Sequence, residues 1–147
     1  MPDTLNLTGG IAAAVNGAAM RGATLAVAYV REDGSPSVSF RGSTQVFGPG
    51  ELALWARKTD SGLASTVAKE PRVSLVYYGG QDGPGPMFLA IEGRARVAPE
   101  ANQQVWDAMI EGERQQDPER GGVAIVIEVD TVAGAGAQGY FQQHRSA

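Results

Sequence analysis

Most of this chain reads as short apolar runs or two-residue alternations, interrupted by three stretches of helical period. Ala23 to Val30 (ATLAVAYV) is a β-rich run, and Asp33-Gly34 after it predicts a hairpin. From Pro36 to Val46 the pattern alternates. Val38, Phe40, Gly42, Thr44 and Val46 take one face, and Ser37, Ser39, Arg41, Ser43 and Gln45 the other. This predicts one strand with a wholly polar face, either solvated or lining a cleft. Gly48-Pro49-Gly50 is a turn, and Glu51 to Arg57 (ELALWAR) a third strand. Val73 to Tyr78, Met87 to Val97 and Val123 to Val132 complete six strands, with Gly93 a bulge or bend in the fifth.

Helical spacing occurs from Thr4 to Met20, from a cap at Asp60 or Ser61 through Lys69, and from Pro99 to Gln115. Pro71 ends the second helix and Gly121-Gly122 follows the third. Gly79 to Pro86 is a Gly- and Pro-rich loop. Residues 133–147 carry little pattern and are expected to form a flexible tail. Strands follow one another without regular strand–helix alternation, which argues against a doubly wound parallel sheet. The expectation is a mainly β chain with helices (α+β). It would be one domain over residues 1–147, a small barrel with helices over its openings.

Composition narrows the chemistry. The chain has no cysteine and one histidine, His144. Thiolate nucleophiles, thiolate metal sites and disulfides are excluded, and a histidine-activated serine would depend on a residue three positions from the end. No metal site is expected and no catalytic side chain is assigned. A borrowed cofactor is the natural source of any reactivity. Twelve basic against sixteen acidic residues give −4, which offers no reason to expect nucleic-acid binding. No 18-residue apolar run and no signal-peptide pattern are present, so a cytoplasmic protein without a membrane span is expected.

Two motifs have ordinary explanations. Gly134, Gly136 and Gly139 fit G-x-G-x-x-G, but no helix or second strand follows, so the dinucleotide reading is set aside. Glu128 and Asp130 share a strand face, and spacing alone does not make them a catalytic pair. Ser37 to Leu75 is more informative. Arg41 and Ser43 lie on one strand, Arg57 and Lys58 end the next, and Ser61 starts a helix. Joined by short loops, these could converge into an anion pocket, or be a solvated strand end and a simple cap.

Arg41-Gly42-Ser43, Leu52 to Arg57, Ser61, Glu70-Pro71-Arg72-Val73-Ser74-Leu75 and Ile91-Glu92-Gly93-Arg94-Ala95-Arg96-Val97 follow one another in an order that resembles the pyridoxamine 5'-phosphate oxidase-like family. The resemblance spans roughly residues 23–132. It implies a six-stranded split β-barrel of the FMN-binding type, forming a homodimer with a cofactor cleft at each side of the subunit contact. It implies FMN, or alternatively the deazaflavin coenzyme F-420, and redox chemistry on a small molecule. The family's phosphate-site Arg falls on Arg41, followed by Gly42, Ser43 and Thr44. Its flavin-lining strand end falls on Ala56 and Arg57, and its helix-start Ser on Ser61. An Arg-Lys pair that follows that Ser in the flavin oxidases is here Gly62-Leu63, so Arg57 and Lys58 are expected to supply the missing charge. Trp55, Tyr77, Tyr78 and Phe88 could line the substrate side, or belong to the core. The competing expectations are a non-catalytic dimer of the same fold that binds a cofactor or small ligand, and a structural barrel with no ligand.

Overall fold

The computed structural model describes residues 3–79, 86, 88–137 and 139–146. Its strands are β1 (Asp3–Thr4), β2 (Ala26–Val30), β3 (Pro36–Phe40), β4 (Gln45–Gly48), β5 (Glu51–Ala56), β6 (Arg72–Tyr78), β7 (Phe88–Val97), β8 (Val123–Gly136) and β9 (Gly139–His144). The helices are α1 (Gly9–Gly17), α2 (Gly62–Thr66), α3 (Asn102–Ala108), preceded by a 3-10 turn at Pro99–Ala101, and α4 (Glu111–Arg114). The architecture is strand-rich α+β, in a sheet that is split rather than closed, as expected of a split barrel.

The sheet is organised around β8. One edge of β8 pairs with β7 along nearly its whole length, from Val97↔Ile125 to Phe88↔Ala135. Its other edge is shared. Residues Val123 to Glu128 pair with β5, and residues Thr131 to Gly136 pair with β9. From β7 the order continues through β6 and β2 to β3, all antiparallel. The β7–β8 register shifts between Glu92 and Gly93. Gly93 fits there because the Glu128 carbonyl would lie 2.5 Å from any Cβ.

Two apolar clusters explain why β5 and β8 read as continuous hydrophobic runs. Leu52, Leu54, Ala56, Ile125, Ile127 and Val129 face the main core, with Leu7, Val15, Val27, Leu75 and Ile91. The opposite face buries Ala53, Trp55, Ala124 and Val126 under Ala101, Val105, Trp106 and Met109. A strand buried on both faces loses the two-residue alternation. Trp55 and Trp106 meet edge to face at 5.3 Å, fixing α3 across β5.

Several elements differ from the sequence expectation. The strand expected over Pro36–Val46 is two strands, broken by a turn at 41–44. Thr44 N–H donates to Arg41 O at 3.2 Å, and the Thr44 hydroxyl to the same oxygen at 2.8 Å. The first helix begins at Gly9, because Thr8 is extended and Leu7 N–H donates to Pro49 O. The third helix breaks at Met109 and Ile110, whose ψ angles are 145° and 154°. Residues 133–136 continue β8, and 139–144 form β9 where a patternless tail was expected. β9 also holds β1 in parallel. Most of the Gly79–Pro86 loop, and Met87, lie outside the described residues.

Candidate functional site

The break at 41–44 shapes the site. Arg41, Gly42 and Ser43 leave the sheet beside the end of β5, and the chain beyond β5 carries Arg57 and Lys58. These residues, with Ala56 and Ser61, line a single cleft of about 710 Å³. Ser39, Phe40, Trp55, Gly62 and Leu63 complete that side. Glu113 from α4, with Gln116 and Asp117 after it, also lines the cleft. Seven of the eight residues singled out in the sequence are thus brought together.

Thr44 is the exception. It lines a smaller recess with Asn16, Met109 and Ile110, and its hydroxyl is committed to Arg41 O. The Ser43 hydroxyl is also occupied. It accepts the Trp55 N–H at 2.9 Å and lies 3.4 Å from Trp55 O, and Ser43 is only 4% exposed. Ser43 therefore anchors the turn to β5, and its position on the cleft wall is a consequence of that.

Arg41 has the opposite character. Its guanidinium is half-buried, and its buried Nε has no hydrogen-bond partner among the described residues. Burial pushes its pKa down; Tyr29 opposes that shift and the like charge of Arg57 adds to it. Arg57 has one weak contact, Nη1 to Gln116 Oε1 at 3.5 Å. By contrast, Lys69, Arg72, Arg94, Arg96, Arg114 and Arg145 each sit against a carboxylate. A half-buried guanidinium beside a second cation, with no carboxylate bonded to it, is a group whose complement is an anion.

The short helix α2 contributes less than its sequence suggests. It has five residues, and the Ser61 side chain makes no capping bond. Gly62 stands at φ +62°, a left-handed conformation that glycine adopts without strain, and Leu63 is 2% exposed in the main core. Neither position can present a charge to the cleft. The cations there come from the 41–44 turn and the end of β5.

The part of the lining formed by Glu113, Gln116 and Asp117 was not legible as a site. Asp117 accepts Trp55 Nε1–H at 2.8 Å and the N–H groups of Gly121 and Gly122 at 2.9 Å each. Burial raises its pKa, but these bonds and the Arg57 charge outweigh it, and the net shift is downward. The only sequence signal was an Asp four residues before a Gly-Gly turn. Trp55 combines both suggested roles, as a core residue that also lines the cleft. Tyr77 is buried and accepts an Arg21 hydrogen bond at 2.9 Å, which assigns it to the core. Tyr78 is 76% exposed on the outer sheet face, and neither it nor Phe88 lines this cleft.

The remaining motifs resolve simply. Gly134 and Gly136 lie on β8 and Gly139 opens β9, so the glycine pattern spans a β-hairpin. Glu128 and Asp130 both bind Arg94, at 3.1 and 2.7 Å. Among the described residues no cluster of His, Asp and Glu could hold a metal ion. No described helix is long and apolar enough to cross a membrane.

No family model and no curated protein matches the sequence. Solved structures do match the fold. A pyridoxamine 5'-phosphate oxidase-related, FMN-binding protein from Nostoc punctiforme aligns over 89% of this chain and 83% of its own, with TM-score 0.63 and 14% identity. A Clostridium acetobutylicum protein of the pyridoxinephosphate oxidase family, related to general stress protein 26 of B. subtilis, aligns over 86% and 89%, with TM-score 0.60 and 11% identity. An F420 reductase aligns over 80% and 94%, with TM-score 0.57 and 19% identity. The chain has the split-barrel fold of the pyridoxamine 5'-phosphate oxidase-like proteins.

Proposed function

We propose that this chain binds a phosphate-bearing flavin, FMN or alternatively the deazaflavin coenzyme F-420, and acts as an oxidoreductase on a small molecule. The observation that carries this reading is Arg41, a half-buried guanidinium without an anion, beside Arg57 and Lys58 in one cleft. Structural neighbours named as an FMN-binding protein and an F420 reductase support the flavin class.

In this reading Arg41, Arg57 and Lys58 hold the phosphate, replacing the charge that Gly62 and Leu63 cannot supply. Gly42 keeps the wall low, and Ser61 offers a free hydroxyl. Ser43 and Thr44 shape the turn that aims Arg41. Bound flavin supplies hydride or electron transfer. The chain's residues bind and orient it and exclude water from its phosphate end. A homodimer is part of the proposal. Val38 and Phe40 on β3, with Val76 and Tyr78 on β6, are exposed on the same sheet face, which a second copy would cover.

Titration of the purified protein with FMN and with F-420, followed by cofactor fluorescence, tests this. Saturable binding of either, weakened at least tenfold in Arg41→Ala, is the expected result. Absence of binding by both overturns it. Gly62 and Leu63 favour a second reading, a dimer that holds the ligand without turning it over. Turnover with an added reductant separates the two.

A further inference from the structure

We infer that Glu113 is a specificity residue of this cleft, selecting a ligand whose phosphate is joined to a hydroxyl-bearing chain. The inference rests on the phosphate-binding reading above and deepens it.

Three observations carry it. First, Glu113 is half-buried and lines the same cleft as Arg41, Arg57 and Lys58. Its carboxylate lies over Gly42, so a Cβ built there would be 2.6 Å from Oε2. Second, the Glu113 carboxylate makes no ion pair or hydrogen bond among the described residues. Its neighbour Glu111 pairs with Arg114 at 3.1 Å, and Asp117 is bonded through both oxygens. Third, the three cations share the cleft with two carboxylates, of which Asp117 is already bonded to Trp55, Gly121 and Gly122, and no ion pair joins Glu113 to Arg41, Arg57 or Lys58. Glu113 and the cations are carried by separate elements, the 41–44 turn, the end of β5 and α4, which keep the gap open.

The gap has a definite chemistry. Its cationic side takes an anion. Its acidic side accepts hydrogen bonds and repels a second negative charge. A phosphate monoester of a polyol satisfies both sides, with the phosphate on the arginines and a hydroxyl donating to Glu113. Inorganic phosphate satisfies one side only. A diphosphate would place negative charge against Glu113. Gly42 belongs to this device, because any larger residue would push the carboxylate aside.

The test uses inorganic phosphate, ribose 5-phosphate and pyrophosphate as probes, with dissociation constants from calorimetry on the full chain. The wild type is expected to prefer ribose 5-phosphate over inorganic phosphate by roughly tenfold, the scale of one charge-assisted hydrogen bond. Glu113→Gln should remove most of that preference and tighten pyrophosphate. Gly42→Ala should act in the same direction, with an unchanged melting temperature showing that either variant is folded. Equal preference in wild type and Glu113→Gln overturns the inference, as does a wild type without preference or without phosphate binding. If FMN and F-420 do not bind while the Glu113-dependent preference is present, the flavin reading fails and this inference stands. If a flavin binds and the preference is absent, the reverse holds.

Discussion

The Ser43 hydroxyl accepts the backbone N–H of Trp55 at 2.9 Å, joining the turn that carries Arg41 to the strand that leads into Arg57. The bond is buried, so its loss leaves an amide with no access to water. Ser43→Ala is expected to lower unfolding free energy by about 1–3 kcal/mol, the cost of an unsatisfied buried donor. Denaturant unfolding measures it. A loss below about 0.5 kcal/mol would mean that water or a backbone shift replaces the hydroxyl.

Arg41 should behave in the opposite sense. Its half-buried charge has no carboxylate partner, so removing it relieves a desolvation cost in the free protein. Arg41→Met is expected to melt at or above the wild-type temperature without ligand, while binding of phosphate-bearing ligands weakens roughly 10- to 100-fold. Thermal melts with and without ligand read both effects. A variant that is destabilised yet binds normally would assign Arg41 to the scaffold.

The contrast between these two residues shows what sequence could reveal. Ser43 and Arg41 sat on the same face of a supposed continuous strand, and seven of the eight chosen residues do line one cleft. Their roles differ because the strand breaks at 41–44, and alternation cannot register a turn whose residues keep the same polarity. The strands buried on both faces were legible as apolar runs. β9 was not, because its pairing is made by backbone and most of its side chains are exposed. The acidic wall was hidden for another reason. Met109 keeps the apolar period through the helix break at 109–110, so nothing in the pattern shows α4 turning towards Gly42.

Asp117 connects the acidic wall to Trp55, and its depressed pKa gives a pH signature. The stabilisation from a lowered carboxylate is present above the unfolded value of 3.8 and is lost as pH falls through the lower folded value. Asp117→Asn keeps the shape but opposes an NH₂ group to one of three donors. It is expected to cost about 1–3 kcal/mol at pH 7, with the gap to wild type narrowing below about pH 4. Urea unfolding across pH 3 to 7 tests this. A gap independent of pH would show that the ionised form contributes nothing specific.

Gly93 tests the β7–β8 register. A Cβ there would meet Glu128 O at 2.5 Å and Val129 Cα at 3.1 Å, both backbone atoms of β8. Neither can rotate away, so the strands must separate. Gly93→Ala is expected to destabilise by roughly 1–3 kcal/mol, as overpacking does elsewhere. Gly112, whose added Cβ meets nothing within 4 Å, is the control, and Gly112→Ala should be neutral or stabilising. Equal behaviour of the two variants would contradict the bulge.

The outer sheet face exposes Val38, Phe40, Val76 and Tyr78. Ala26 on β2 pairs with Phe40 on one side and Val76 on the other, so these three form one row across the sheet. Phe40 is 77% exposed and also lines the cleft. A second copy docking on this row would therefore abut the cleft as well as bury apolar surface. Val38→Asp with Val76→Asp places two charges on the face without touching a residue that lines the cleft. Sedimentation is expected to show a wild-type dimer and a variant whose dimerisation is weaker by roughly two orders of magnitude. Ligand affinity should fall with it if the partner completes the cleft. A wild type that remains monomeric at micromolar concentration, or a variant that still dimerises, would remove this face as the interface. The apolar row would then need another partner.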